Sequence, residues 1–268
     1  MSMPFLPDVR SSAFWAWEGL RRNADYRKAW KRYRHRCPPT LTLDSGAGLT
    51  RLRRRYPEAE RFGLLAFADP DVGIDKAGVF WMPEVLAGAL PVKLDALSSH
   101  AQTDDKIVVS DLSVPRHILE MPNGQRHIRL GGAGIWLQLF CDAPRALADR
   151  AGVTVHIEQS ARLARRVDTV LQLLSIHRAD TSNDILTGRS KSRRTLERSL
   201  TAFDIWHGFE RPKGGLRDIA VALTNPEIVS KDWNRGSGYL KSCAARARRR
   251  GEQFVTRGYY DLLLKKTI

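Results

Sequence analysis

The chain has 268 residues, enough for one large or two modest domains, and 43% of them are hydrophobic, enough to build cores. Its 44 lysines and arginines outnumber 29 aspartates and glutamates, for a net charge of +15, and clustered positive charge favours a polyanionic partner through counterion release. Cys37, Cys141 and Cys243 are widely spaced and form no CxxC pair, which points away from a disulfide framework or a zinc site. No apolar run approaches membrane-spanning length, and residues 1–10 lack a signal-peptide core, so a cytoplasmic protein without membrane contact is expected.

The charge is polarised along the chain: residues 1–61 sum to +8, residues 62–150 to −3 and residues 151–268 to +10. Residues 11–36 (SSAFWAWEGLRRNADYRKAWKRYRHR) read as helical. Ser11 or Ser12 caps the start, and Phe14, Trp17 and Leu20 form an apolar stripe with Trp15 beside it. Asn23 and Asp25 break the run and cap a second short helix carrying Tyr26, Trp30 and Tyr33, which Pro38 and Pro39 end. These aromatics are expected to pack rather than stack on bases. The cluster Arg27, Lys28, Lys31, Arg32, Arg34 and Arg36 reads as a solvated face. Residues 40–50 (TLTLDSGAGLT) read as a connector, followed by the basic segment Arg51, Arg53, Arg54 and Arg55.

From Phe62 the character changes to short β-branched and aromatic runs punctuated by Gly, Pro, Asn and Asp, the signature of a small antiparallel sheet of three to five strands. Pro122-Asn123-Gly124 is a hairpin signal because Asn-Gly tolerates positive φ. Gly131-Gly132-Ala133-Gly134 separates two further strands and lacks the Lys-Ser/Thr of a phosphate loop. His117 and His127 read as surface or edge residues of this hairpin, with no third ligand for a metal. Asp69, Asp71, Asp104 and Asp105 sit in turn contexts. No catalytic constellation, metal site or cofactor site emerges, and the expected protein is not an enzyme.

The last hundred residues read as mostly helical. Residues 159–177 carry Leu163, Val167, Val170, Leu171 and Leu174 as a core stripe with Arg162, Arg165 and Arg166 outside it. A loop marked by Ser182, Asn183, Asp184 and Gly188 follows. A helix from about Ser192 to His207 turns Leu196, Leu200, Phe203 and Trp206 inward. Leu216 to Thr224 forms a short helix with Leu216, Ile219, Ala220 and Leu223 inward, stopped by Asn225-Pro226. In SGYLKSCAARARRRG, Tyr239, Leu240, Cys243, Ala244 and Ala247 share one helical face, and Lys241, Ala245, Arg248 and Arg249 the other. Short helices in tandem, the last one basic, are the layout of a helix-turn-helix domain, with Gly251 as C-cap and residues 251–264 as a wing. The link from Thr224 to Gly238 is longer than the usual turn, and PEIVSKDW fits an extra helical turn inside it. The expected fold class is therefore α+β: an N-terminal helical region (1–61), a small antiparallel β region (62–157) and a helix-turn-helix-like domain (158–268).

These segments carry a family resemblance. AFWAWEGLRRNADYRKAW resembles the short transcriptional-regulator-like domain of proteobacterial proteins. RLARRVDTVLQLL, GGLRDIAVAL and LKSCAARARRRGEQFVTRGYYDLL resemble the RovC-like DNA-binding domain, a helix-turn-helix variant. The likeness covers residues 11–36 and 159–264. It implies a transcriptional activator of integrative and conjugative element transfer or of type VI secretion genes, with RNA polymerase or an antiactivator protein as a further partner. Family copies that lack the arginine-rich helix act as antiactivators by protein contact, whereas this chain retains it.

If residues 237–250 read double-stranded DNA, Lys241 and Ser242 near the helix start face base edges, and Arg235 reaches from the link. Arg246, Arg248, Arg249 and Arg250 clamp phosphates, and Arg217 starts the helix that crosses the backbone. The bland alternative is a basic helix end favoured by the macrodipole. The competing function is a non-enzymatic interaction module whose basic face meets an acidic partner protein. A homo-oligomer is expected from the half-site geometry of such readers.

Overall fold

A computed structural model describes residues 11–96, 107–112, 114–132, 135–142, 151–155, 157, 160, 162–177, 191–234 and 238–264. Asp104, Asp105, Ala133, Gly134, the Ser182 to Gly188 loop and Arg235 lie outside the described residues. The fold is α+β, a mixed seven-stranded sheet with helices at both ends of the chain. Among the described residues, no helix is long and apolar enough to cross a membrane.

The N-terminal helices form where their caps place them. The Ser11 hydroxyl accepts the Phe14 amide to start α1 (Ser12–Leu20). Asn23 Oδ1 accepts the amides of Asp25 and Tyr26 to start α2 (Ala24–Tyr33). Trp17, Leu20 and Tyr26 are fully buried, and the Tyr26 hydroxyl donates to the Ala68 carbonyl at 2.6 Å. A 3-10 turn, Arg34–Arg36, ends the run before Pro38.

The sheet is larger than its sequence pattern. It contains β1 (Thr40–Thr42), β2 (Gly48–Arg51), β3 (Leu90–Ala96), β4 (Arg116–Glu120), β5 (Gln125–Gly132), β6 (Ile135–Asp142) and β7 (Ala151–Val155), in the order β1-β2-β4-β5-β6-β3-β7. Two pairings, β2 with β4 and β3 with β6, are parallel. The supposed connector at 40–50 is thus an edge hairpin. Its pattern is too polar to announce a strand, since of β1 and β2 the only buried apolar side chain is Leu49. Pairing with the sequence-distant β4 holds it, reinforced by Thr40 and Thr50 hydroxyls 2.8 Å apart. The 122–124 turn forms as read, with Gly124 at φ 86° joining β4 to β5. Short helices α3 (Pro57–Glu60) and α4 (Ile74–Ala77) lie in the segment between β2 and β3.

Alternation then sorts side chains to two cores. Along β6, Leu137, Leu139 and Cys141 join one core with Ile118, Ile128 and Leu130, closed by α5 (Leu163–His177) through Leu173 and Ile176. Trp136 and Phe140 face the other, shared with α1, α2, residues 52–89 and the C-terminal helices. On that second face, two strand-borne polar side chains bond backbone groups of the 74–81 segment. Gln138 bonds both the amide and the carbonyl of Trp81, and Arg129 donates to the Ile74 carbonyl at 2.7 Å. His117 and His127 share this face: His127, expected at the surface or edge, is fully buried and stacks on Phe140, whereas His117 is half-buried and bonds the Thr50 hydroxyl. Burial pushes both imidazoles down to about 4, helped at His117 by the charge of Arg129.

Helix α5 is rotated from its expected setting. Arg162, read as outward, donates to the Pro83 and Glu84 carbonyls at 2.8 and 2.5 Å, and the Thr169 hydroxyl donates to the Gly88 carbonyl. These bonds turn Thr169, Leu173 and Ile176 inward and leave Leu163, Val167 and Leu171 exposed. Periodicity gives the helix but not which of two adjacent apolar stripes faces the sheet.

The C-terminal helices are α6 (Lys191–His207), α7 (Leu216–Leu223), α8 (Pro226–Asp232), α9 (Tyr239–Gln253) and α10 (Tyr259–Leu263). No wing exists among the described residues: α9 passes through a π turn, Phe254–Gly258, into α10. Gly251 is not a cap but a crossing point. It is buried where α9 crosses α6, and a Cβ built there would lie 2.3 Å from the Ser199 carbonyl oxygen. The π turn leaves the Val255 carbonyl to accept the Asn23 side-chain amide at 2.9 Å, and Gly19 of α1 sits against Phe254.

A buried ion network joins the two ends of the chain. Arg22 forks onto Asp204 of α6 at 2.7 and 2.9 Å and reaches Glu18 at 2.6 Å and Glu210 at 2.8 Å. Arg21 bonds Glu18 and Glu210, and Arg21, Arg22 and Arg27 all lie over the Phe209 ring. Burial alone would lower the Arg22 pKa, yet the Asp204 and Glu18 carboxylates outweigh it and raise it.

Three outcomes follow from this packing. Arg22→Ala strands Asp204 in a dry site, leaving Glu18 with Arg21 alone, and should cost about 3–5 kcal/mol of unfolding free energy in urea titrations. Gly251→Ala gains about 1 kcal/mol of helix propensity but forces apart two helix backbones, so a net loss of about 1–3 kcal/mol is expected; a gain would contradict the close crossing. The unfolded chain takes up histidine protons below about pH 6.5 that the folded chain refuses down to about 4. The melting midpoint should therefore drop between pH 7 and pH 4, and drop less in His127→Leu.

Candidate nucleic-acid interface

Helices α6, α7 and α9 pack on one another around Ala202, Ile205, Ile219, Ala220, Leu240 and Ala244. Each helix has its own start signal. Asp218 accepts the Gly215 amide at 2.7 Å to begin α7. α7 ends at Leu223, just before Asn225-Pro226 as read, and Asn225 also starts α8, its side chain accepting the Glu227 amide with Pro226 in the first turn. The extra helical turn expected inside the link is therefore present as α8, which docks Val229 into the same core. α9 thus packs in a three-helix cluster with α6 and α7, and α8 lies between α7 and α9 in the chain.

The burial pattern of α9 divides its residues. Leu240, Ala244 and Gly251 are buried, with Cys243, Ala247 and Arg248 half-buried beside them. Ser242, Arg246, Arg249 and Gln253 are exposed at spacings of three and four residues that place them along one face, and Lys241 and Arg250, also exposed, lie at its two edges. This face holds four cations and no carboxylate. The only acid on the helix, Glu252, sits on the flank, 3.4 Å from His207 and 3.9 Å from Arg248.

The expected site residues separate accordingly. Arg217 is exposed on the first turn of α7. Lys241 and Ser242 are exposed in the first turn of α9, with the Lys241 ammonium 5.5 Å from the centroid of the Trp233 ring. Arg246 folds back on its own helix, toward the Ser242 carbonyl and Cys243 sulfur at 3.3 Å. Arg249 and Arg250 point outward with no bonded partner among the described residues.

Arg248 departs from its expected place on the outer face. Its guanidinium lies 4.4 Å over the Trp206 ring, and it belongs to the packed flank. The reason is registry: Arg248 follows Leu240, Ala244 and Ala247 around the helix toward α6. Tyr239 departs in the opposite sense, being 65% exposed where packing was expected. It is the first residue after Gly238, whose φ of 58° turns the chain into the helix, so its side chain precedes the turn that meets the core. Its i+4 neighbour Cys243 suggests the packed face, but the row Tyr239, Ser242, Arg246 and Arg250 is exposed throughout. An exposed tyrosine at the leading end of α9 therefore joins Lys241 and Ser242 as a candidate DNA-facing group.

Elsewhere, a cavity of about 400 Å³ between α1, α5 and β6 is lined by Ser12, Trp136, Arg165, Asp168 and Gln172 and involves no residue of α9. Among the described residues, no group of three or more His, Cys, Asp or Glu could hold a metal ion.

Comparison with models of known protein families finds no match, and none of the curated proteins matches the chain.

Proposed function

We propose that the chain is a DNA-binding transcriptional regulator whose α9 enters the major groove of a specific duplex. The observation that carries the reading is the outward face of α9: four exposed cations, a serine and a leading tyrosine, with the acid of that helix drawn aside. A major groove admits one helix and is flanked by phosphates on both sides, so such a face meets bases at its leading end and backbone along its length. Lys241, Ser242 and Tyr239 take the base edges. Arg246, Arg249 and Arg250 take phosphates, and Arg217 takes the backbone beside α7. Arg248 serves instead to hold the flank of α9 against Trp206. The likeness to RovC-like regulators agrees with this assignment and suggests the class of gene controlled, an integrative-element or secretion operon.

The test is binding to duplexes captured from the native genome, measured by fluorescence anisotropy across a salt series. Arg249→Ala should weaken all sequences alike and reduce the salt slope by about 1, whereas Lys241→Ala should cost about 1–3 kcal/mol on the preferred sequence only. Unchanged DNA affinity in the Lys241→Ala, Arg249→Ala double variant, with loss of an acidic protein partner, would transfer the face to protein binding.

A further inference from the structure

A second cationic surface lies at the other end of the chain and plays no part in the α9 assignment. Arg32 and Arg36, at the end of α2 and in the turn after it, both place their guanidinium groups over the Tyr33 ring, at 5.5 and 5.3 Å from its centroid. Arg54 lies over the Tyr56 ring at 5.3 Å. The Tyr56 hydroxyl donates to the Arg36 carbonyl at 2.6 Å, which fastens the 52–56 loop to the turn. Arg34 and Arg53 stand beside these, and all five arginines are exposed.

The neighbouring arginines are neutralised and these five are not. Arg55 forms two 2.8 Å bonds to Glu60, Arg51 lies 3.4 Å from Glu120, and Arg27 bonds Asp71. Among the described residues, no carboxylate lies within 4 Å of Arg32, Arg34, Arg36, Arg53 or Arg54. A surface that served only solubility would interleave acids or leave its cations on free stems. Here three guanidinium planes rest on rings, which reduces the side-chain freedom lost on binding while leaving N–H donors at their edges. Like charges held together in this way repel until an anion arrives.

We infer that this patch is a second binding surface for the phosphate backbone of duplex DNA, outside the segment read by α9; the inference takes the DNA reading above as its premise. Duplex backbone is favoured over single-stranded RNA because the rings here are not free for bases. Tyr56 is buried, and Tyr33 is stacked on Phe67 with the arginines above it; single-strand readers need open aromatic faces. The position also fits a longer footprint. Asn23, the cap of α2, is bonded to Val255 just beyond α9, so α2 begins where α9 ends and carries the patch away by its own length, about 15 Å.

The experiment compares two duplexes with the same captured site at the centre, one of about 14 base pairs and one of about 36, the longer adding roughly two helical turns. Replacing the five arginines with glutamine should leave the short duplex bound within about twofold. On the long duplex it should weaken binding about tenfold or more and reduce the salt slope by about 0.9 for each phosphate no longer neutralised. Arg53→Glu with Arg54→Glu, which leaves the α2 rings untouched, should show the same selective loss in smaller degree, at an unchanged melting midpoint. Equal affinity and equal slope on the long duplex overturn the inference, as does loss of binding confined to an acidic polypeptide such as polyglutamate. If Lys241→Ala with Arg249→Ala has no effect on either duplex while the patch variant still loses the long one, the α9 assignment fails and the patch stands.

Discussion

Arg22, forked onto Asp204, sets how the two ends of the chain meet. The pair is buried on both sides, with side-chain exposures of 4% and 6%, and it joins residues 182 positions apart. Removing two such charges from water is costly unless every donor finds an acceptor. Glu18 and Glu210 complete that set. The network therefore tolerates one arrangement of α1 against α6 and few others. Because α6 is also the helix against which α9 lies, the orientation of the basic face is fixed from the N-terminal end of the chain.

A further restriction acts at the close crossings. Gly251 lets α9 touch the backbone of α6, and Gly19 lets α1 touch Phe254. Side-chain bulk at either place would separate the helices, and the rigid cluster would lose the setting that turns Ser242, Arg246 and Arg249 outward between Lys241 and Arg250. The arginines of this protein thus divide by environment. Those with carboxylates, such as Arg21, Arg22 and Arg55, hold elements together. Those without, on α9 and around Tyr33, are presented to solvent.

Much of this is legible in the sequence, for identifiable reasons. Asn23, Ser11 and Asn123-Gly124 act through their immediate neighbours, so their caps and turn can be read directly. Helices α6, α7 and most of α9 follow from 3.6-residue periodicity, whereas α10 reads as a wing. What cannot be read depends on distant partners. The 40–51 hairpin looks like a connector because its strands are defined by pairing with β4, not by apolar content. The stripe that α5 buries is decided by Arg162 bonding to carbonyls near residue 84. Gly251 carries the local signature of a helix end, and only the proximity of Ser199 shows it to be a crossing point. At the candidate interface, the charge of α9 is evident from composition, but placing Arg248 on Trp206 requires knowing where α6 lies.

Whether the exposed side of α9 lies against duplex DNA can be read from a photo-crosslinking residue placed at Ser242, with the same residue at Leu163 of α5 as the reference. Crosslinks from position 242 to one narrow stretch of the bound duplex, and none from position 163, are expected. Crosslinks from 242 to a protein partner alone, or equal DNA crosslinking from both positions, would contradict that placement.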